Sequence, residues 1–497
     1  MRTPKLLPIP QNVNWGNGFL EWAKAEFQID ENGLPCGDYL SIVQTQDVDA
    51  SGYNLTISPD GITIAVSSED GAKRALNTLQ QIGMQADERG FRYCEIVDFA
   101  NVQDRKFLLN ISQSKVPTFE QLKLLVDRIA LFKYNKLQLR LTGAFPFEKY
   151  ESQWAGHAVI SPSKISRLKN YCAGQGVELS FAYDFYAEEN YTEMLQSLFE
   201  CFGETQANIG CKNSDKTQLA SILKTAEEIG FEPNYCADCF VENGFDVATL
   251  PVGVPIFSAS LGDMLLDVCD KLSSQNRKFY IRADMCMQKF SDYAKAREQI
   301  EFASNLSKKT GASGIVADFS LGEYTSMCLM YPQMVCCASA MWSSLATDEA
   351  VCEAMESFIF YDATGDFSRA IFAMGNVIKA SLLYDVFFAD ENLLQSILAE
   401  NKDVDFDVLE GSADFAMGLS ATGHSESRDS NILSAELALI GAMMKWASQK
   451  ARCDNTLADS QLLNLKFIIA DFENIWLARH ECGGLWEASA KLRALLQ

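Results

Sequence analysis

The sequence predicts an α/β chain: a (β/α)8 barrel with an N-terminal α+β domain and a C-terminal all-α domain. Three observations predict it. A period-two hairpin and a helix occupy the first hundred residues, eight strand-like segments alternate with helical ones to about residue 345, and helical periodicity without strands fills the remainder. The composition suits packed layers: of 497 residues, 48% are apolar and 22% charged, too apolar for a disordered chain.

In residues 1–103, Tyr53-Asn-Leu-Thr-Ile-Ser alternates apolar and polar positions, Pro59-Asp60-Gly61 supplies the turn, and Ile62-Thr-Ile-Ala-Val-Ser resumes the alternation. Ala72, Leu76, Leu79 and Ile82 then recur at helical spacing. In residues 104–345, strands are predicted over 106–110, 136–141, 178–183, 207–210, 232–237, 254–258, 279–283 and 314–318. Helices such as 118–132, 163–175, 214–229 and 292–310 separate them. Eight such units fit the roughly 250 residues a barrel needs, whereas an open doubly wound sheet lacks its G-x-G-x-x-G turn here. In residues 346–497, helices are predicted over 349–358, 368–386, 434–451 and 460–478, and the Ser-, Gly- and Asp-rich stretch 412–431 reads as a loop.

Charge excludes some functions. Lys and Arg number 42 against 66 Asp and Glu, a formal net charge of −24. Nucleic acid and anionic membrane surfaces require basic faces, so neither is an expected partner. No stretch approaches the roughly 18 to 20 apolar residues of a membrane span, and residues 1–10 lack the apolar centre of a secretory signal. Fifteen scattered cysteines read as reduced thiols, which makes a cytoplasmic protein the expectation. His157, His424 and His480 are too far apart for a local ligand motif, and Cys236-Ala-Asp-Cys239 is a lone C-x-x-C, so no metal or cofactor is expected.

Barrel chemistry sits at the carboxyl ends of the strands. Those ends carry Thr142-Gly-Ala-Phe-Pro-Phe after strand two, and Asp184 and Tyr186 after strand three, with Glu188 and Glu189 beyond. Lys212 and Asn213 follow strand four, Asp238 strand five, Arg282 and Asp284 strand seven, and Asp318, Glu323 and Tyr324 strand eight. Carboxylates with aromatics at a barrel mouth suit sugar chemistry, because glycosidic cleavage needs a proton donor and charge stabilisation. The competing reading is that these acids cap helices or pair with arginines.

Leu7-Pro-Ile-Pro-Gln-Asn-Val, Gly52-Tyr-Asn-Leu-Thr-Ile and Gly61-Ile-Thr-Ile resemble the α+β domain that precedes the barrel in glycoside hydrolase family 20, the β-N-acetylhexosaminidases. Phe107-Leu-Leu-Asn-Ile-Ser and Leu131-Phe-Lys-Tyr-Asn-Lys-Leu-Gln-Leu are similar to that family's first barrel unit. Tyr361-Asp-Ala-Thr-Gly, Met374-Gly-Asn and the run from Trp476 to Leu485 resemble a bacterial branch with a C-terminal helical domain. The resemblance implies substrate-assisted retention: the sugar's 2-acetamido oxygen attacks the anomeric carbon, an Asp orients it, and the adjacent Glu protonates the leaving oxygen. Family 20 is a known exception to the two-carboxylate scheme. The matching segment here, Asn208-Ile-Gly-Cys211, runs into Lys212-Asn213, so both carboxylates are replaced. An ammonium is a poor acid near pH 7 unless strongly desolvated, and Asn213 cannot transfer a proton. The branch's Asp-Trp-Gly-Asp after strand eight is Asp318-Phe-Ser-Leu321, and its acidic-histidine element after strand two is Thr142-Gly-Ala144. Asp318 keeps its position, and Asp238 fits an acid that the branch carries after strand five.

Three readings follow. The first is a carbohydrate-binding barrel, taking an N-acetylated amino sugar, without standard hexosaminidase activity. The second is a glycosidase with relocated acids, for which Asp215, Asp238 and Asp318 are the candidates; Asp215 or Ser214 otherwise caps the next helix. The third is a regulatory or scaffold protein whose acidic helical domain forms a homo-oligomer. The substrate-binding candidates are Asp184, Asp238, Arg282, Asp284, Asp318, Glu323 and Tyr324.

Overall fold

The computed structural model describes residues 3–25, 28–29, 35–112, 115–186, 190–211, 216–242, 253–375, 380–452 and 459–496. Tyr53–Ser58 and Gly61–Val66 form the expected antiparallel hairpin, pairing from Tyr53 with Val66 to Ser58 with Gly61. Gly61 has φ +133°, and a Cβ there would lie 2.3 Å from the Tyr39 carbonyl oxygen, so the turn requires glycine. The hairpin sits in a five-stranded sheet with Asn12–Leu20, Leu40–Gln44 and Phe91–Asp98, three strands the period-two reading did not single out. Helix Glu69–Met84, capped by the Ser68 side chain, packs Ala72, Ala75, Leu79 and Ile82 into the core beneath it.

Asp98 joins this domain to the barrel. Its buried carboxylate accepts from Lys133 Nζ at 2.7 Å, the Tyr53 hydroxyl at 2.6 Å and Trp342 Nε1 at 2.8 Å. Arg74 reaches the same junction and donates to the Tyr134 carbonyl at 3.1 Å.

Eight parallel strands close into a barrel: Asp104–Asn110, Lys136–Arg140, Glu178–Phe185, Gln206–Cys211, Glu232–Cys236, Val254–Ser258, Tyr280–Asp284 and Gly314–Phe319. They are called barrel strands one to eight below. Strand eight pairs with strand one, Asp318 opposite Leu108, which completes the ring. Buried outward positions such as Phe107, Leu109, Leu137 and Leu139 pack under the surrounding helices. The inward positions are unusual. Where barrels commonly carry branched aliphatics, Lys106, Gln138 and Asn234 are fully buried here.

Helix Tyr331–Trp342 follows strand eight and is buried at every position, because the C-terminal helices cover its outer face. Those helices are Asp348–Met355, Asp366–Gly375, Ala380–Phe388, Glu391–Glu400, Phe406–Thr422, Ser430–Arg452, Asp459–Arg479 and Leu485–Ala494, with a π-helical turn at Glu356–Phe360. Two expectations change. The single helix over 368–386 is two described helices, with residues 376–379 outside the described set. The loop expected over 412–431 is helical as far as Thr422: Leu409, Ala413, Ala416 and Ser420 form a buried stripe, and the loop-like residues lie around it. Every cysteine with a described side chain is a free thiol, and no single described helix is long and apolar enough to cross a membrane.

Candidate functional site

The strand ends converge on a cavity of about 450 Å³ at the barrel mouth. It is bounded by strands one, two, six, seven and eight, the loops after the last three and helix Tyr293–Thr310, with Asn110, Arg140, Ser258, Arg282, Asp284 and Asp318 at its base. Their inward orientation follows from the pleat: residues two apart share a face, and in-register residues of parallel neighbours point the same way. Asn110 lies opposite Arg140, Ser258 opposite Arg282, and Asp284 opposite Asp318.

The acids here have defined partners. Arg282 Nη2 holds the Asp238 carboxylate at 2.9 Å, and the other Asp238 oxygen accepts the Ser258 amide at 2.6 Å. Burial opposes the Arg282 charge, yet Cys236, Asp238, Asp318 and Asp284 around it hold the guanidinium above the usual arginine value. Asp284 accepts from the Cys286 amide at 2.7 Å, a local turn bond, and Asp318 accepts from the Ser320 hydroxyl at 2.5 Å. Burial pushes the Cys236 thiol up to about 11, so the C-x-x-C sulfur at this position is a neutral thiol near pH 7.

On the other side of the mouth, Asp184 of strand three lies across Gly210 of strand four. Its amide donates to the Thr142 hydroxyl at 3.0 Å. A Cβ at position 210 would fall 1.9 Å from Asp184 Oδ1, so the glycine at the end of strand four makes room for this carboxylate. Lys212, Asn213, Ser214 and Asp215, and likewise Glu188 and Glu189, lie outside the described residues.

Of the residues singled out from sequence, Arg282, Asp284 and Asp318 line the cavity, and Asp238 touches it through Arg282. Glu323 and Tyr324 do not join them. Glu323 pairs with Lys491 at 2.6 Å. Tyr324 is buried among Tyr384, Phe388 and Phe472, and its hydroxyl donates to the Ala488 carbonyl at 3.1 Å. The cause is the loop after strand eight. Lys115 Nζ donates to the carbonyls of Gly322, Glu323 and Thr325 at 2.8, 3.2 and 2.7 Å, which turns these side chains toward the helical domain. The aromatics after strand two are also absent from the cavity wall: Phe145 and Phe147 are buried against each other, and Phe147 packs on Tyr183. Tyr186 is exposed. Arg140, Asn110, Lys295 and Gln299 were not singled out, although Lys136-Leu-Gln-Leu-Arg140 alternates in a way that marks Arg140 as inward-facing. Among the described residues, no group of three or more His, Cys, Asp or Glu side chains is placed to hold a metal ion.

Known proteins resemble this architecture. The sequence profile described as Glycosyl hydrolase family 20, domain 2 matches residues 22–99. A β-hexosaminidase of Akkermansia muciniphila is 24% identical over 200 residues, covering 36% of this chain and 40% of that relative; the match thus spans two-fifths of the relative's length. The β-N-acetylhexosaminidase of Bacteroides fragilis shares the fold with a TM-score of 0.55 at 15% identity, over 71% of this chain and 94% of that one. The Streptomyces plicatus N-acetyl-β-hexosaminidase, solved with Thio-NAglucal, gives 0.56 at 12% identity, over 71% and 95%. The Vibrio harveyi family 20 exo-β-N-acetylglucosaminidase, solved with N-acetylglucosamine, gives 0.52 at 14% identity, over 68% and 73%.

Proposed function

We propose that this glycoside hydrolase family 20-like chain is a carbohydrate-binding barrel that takes an amino sugar without performing standard β-N-acetylhexosaminidase chemistry. The observation that carries the reading is the engagement of the mouth acids. Asp238 is paired with Arg282, Asp284 with a turn amide and Asp318 with Ser320. A general acid must instead present its proton to the leaving oxygen. The sequence supports the same reading, since Lys212-Asn213 stands where the family resemblance calls for the Asp-Glu pair. Loss of the acid alone forfeits roughly a 10²- to 10⁴-fold contribution. The N-acetylglucosamine bound in the Vibrio harveyi relative supports the class of ligand.

A second reading has one observation in its favour. Asp284 and Asp318 stand in register on neighbouring strands, and both line the cavity, so they are the pair a relocated glycosidase would use. One experiment separates the readings: thermal shift and turnover with N-acetylglucosamine and its 4-nitrophenyl β-glycoside. Ligand at 100 times its Kd stabilises by about 2.7 kcal/mol, and the proposal expects that stabilisation without release of nitrophenol. Turnover abolished by Asp284→Asn or Asp318→Asn would establish the second reading instead.

A further inference from the structure

We propose that the sugar held at this mouth carries an anionic substituent, a carboxylate, phosphate or sulfate, and that Arg140 selects for it. The inference rests on the carbohydrate reading above and names its ligand class. It begins from what the cavity lacks. Small-molecule pockets are lined mostly by apolar and aromatic side chains. Here no aromatic ring lines the wall among the described residues, and Leu321 is its one large aliphatic side chain. Among the described wall residues a neutral pyranose finds no ring face to stack on, so their contribution to affinity is polar and charged.

One cation on that wall is open to an anion. Arg140, Arg282 and Lys295 stand there among the carboxylates Asp284 and Asp318. Arg282 is committed to Asp238. Arg140 is not committed: it is half-buried on strand two, beside Asn110 of strand one, and its guanidinium has no carboxylate within ion-pair distance among the described residues. An arginine fork in that position matches the oxygens of a carboxylate, phosphate or sulfate two at a time. Arg140 thus supplies the donors for an anionic group.

Calorimetric titration of the full chain tests this with four probes: N-acetylglucosamine, its 6-phosphate, its 6-sulfate, and glucuronic acid. At least one anionic sugar is expected to bind ten-fold or more tighter than N-acetylglucosamine, and its identity tells which anion the site takes. Arg140→Gln is expected to remove that preference and Arg140→Lys to restore part of it, while circular dichroism checks that both variants fold. Lys295→Gln, at the cavity wall, is expected to weaken the anionic sugar several-fold. Equal binding of neutral and anionic sugars, or a preference that survives Arg140→Gln, would overturn the inference and leave the carbohydrate reading standing. Binding of none of the four would overturn both.

Discussion

Lys106 stands on the inner face of barrel strand one with its ammonium 3.5 Å from the centre of the Tyr280 ring and no hydrogen-bond partner among the described residues. Gln138 and Asn234, equally buried, leave both polar atoms of their amides without a partner among the described residues. An uncompensated cation in such surroundings is costly, and burial lowers the Lys106 amine to about 7, with Asp104 only partly offsetting it. A free lysine titrates near 10.4. The folded state therefore binds this proton less tightly than the unfolded chain, so the penalty is complete below pH 7 and fades as pH rises toward 10. Lys106→Met removes the penalty while keeping the length of the side chain. Paired urea titrations are expected to show the variant more stable by a few kcal/mol at pH 6.5, on the order set by the shift, with a much smaller gap at pH 9.5. A gap that does not change with pH would mean that the amine is neutralised by other means. Arg140, on the next strand, stands at the rim, where ligand and solvent reach it; Lys106 lies deeper, where neither relieves its cost.

At the scale of elements, barrel strands such as Val254–Ser258 and Tyr280–Asp284 were legible because they combine β-branched or aromatic residues with an abrupt end in Ser or Asp, and the intervening helices have clear apolar faces. Helix Phe406–Thr422 was obscured because six Gly, Ser and Asp residues interrupt it, while its buried stripe uses small residues such as Ala413 and Ala416. The site was legible in part for a similar reason. Position at a strand end can be read from sequence, so Arg282, Asp284 and Asp318 were found; the direction a loop takes after the strand cannot, and Tyr324 turns away. Lys115 sets that direction through its three carbonyl bonds, and Gly322 packs so closely that a Cβ would lie 2.0 Å from the Gln288 carbonyl oxygen. Burial lowers the Lys115 amine to about 8, so it is predominantly charged at neutral pH and each bond is charge-assisted. Lys115→Met is expected to cost about 1.5–3 kcal/mol and to speed amide exchange across residues 320–326 ahead of the rest of the barrel. Unchanged exchange there would show that packing on Gln288 alone fixes the loop.

Across the whole molecule, the barrel and the helical domain are joined by charge buried between them. Asp429 receives Arg128 Nη2 at 2.6 Å from the first barrel helix and Arg479 Nη1 at 2.6 Å from helix Asp459–Arg479. Arg479 also donates to Glu436 at 2.6 Å, and Glu436 accepts the Met327 amide at 3.1 Å, just beyond strand eight. Burial pushes the Asp429 carboxyl up, but Arg128 and Arg479 outweigh it and hold the group well below the usual carboxylate range. A carboxyl lowered in this way stabilises the fold above about pH 4, and that stabilisation is lost as pH falls through its folded value. Such a network makes the two regions one unit, because parting them would break the Arg128–Asp429 pair, the Arg479–Gln121 bond and the Met327–Glu436 bond together. Asp429→Asn keeps the shape and removes the charge that both arginines face. It is expected to lower the unfolding free energy by about 3–5 kcal/mol while preserving a single cooperative transition for barrel and helices together. Two separated transitions, with only the helical one displaced, would instead make the C-terminal helices an independently folding attachment to the barrel.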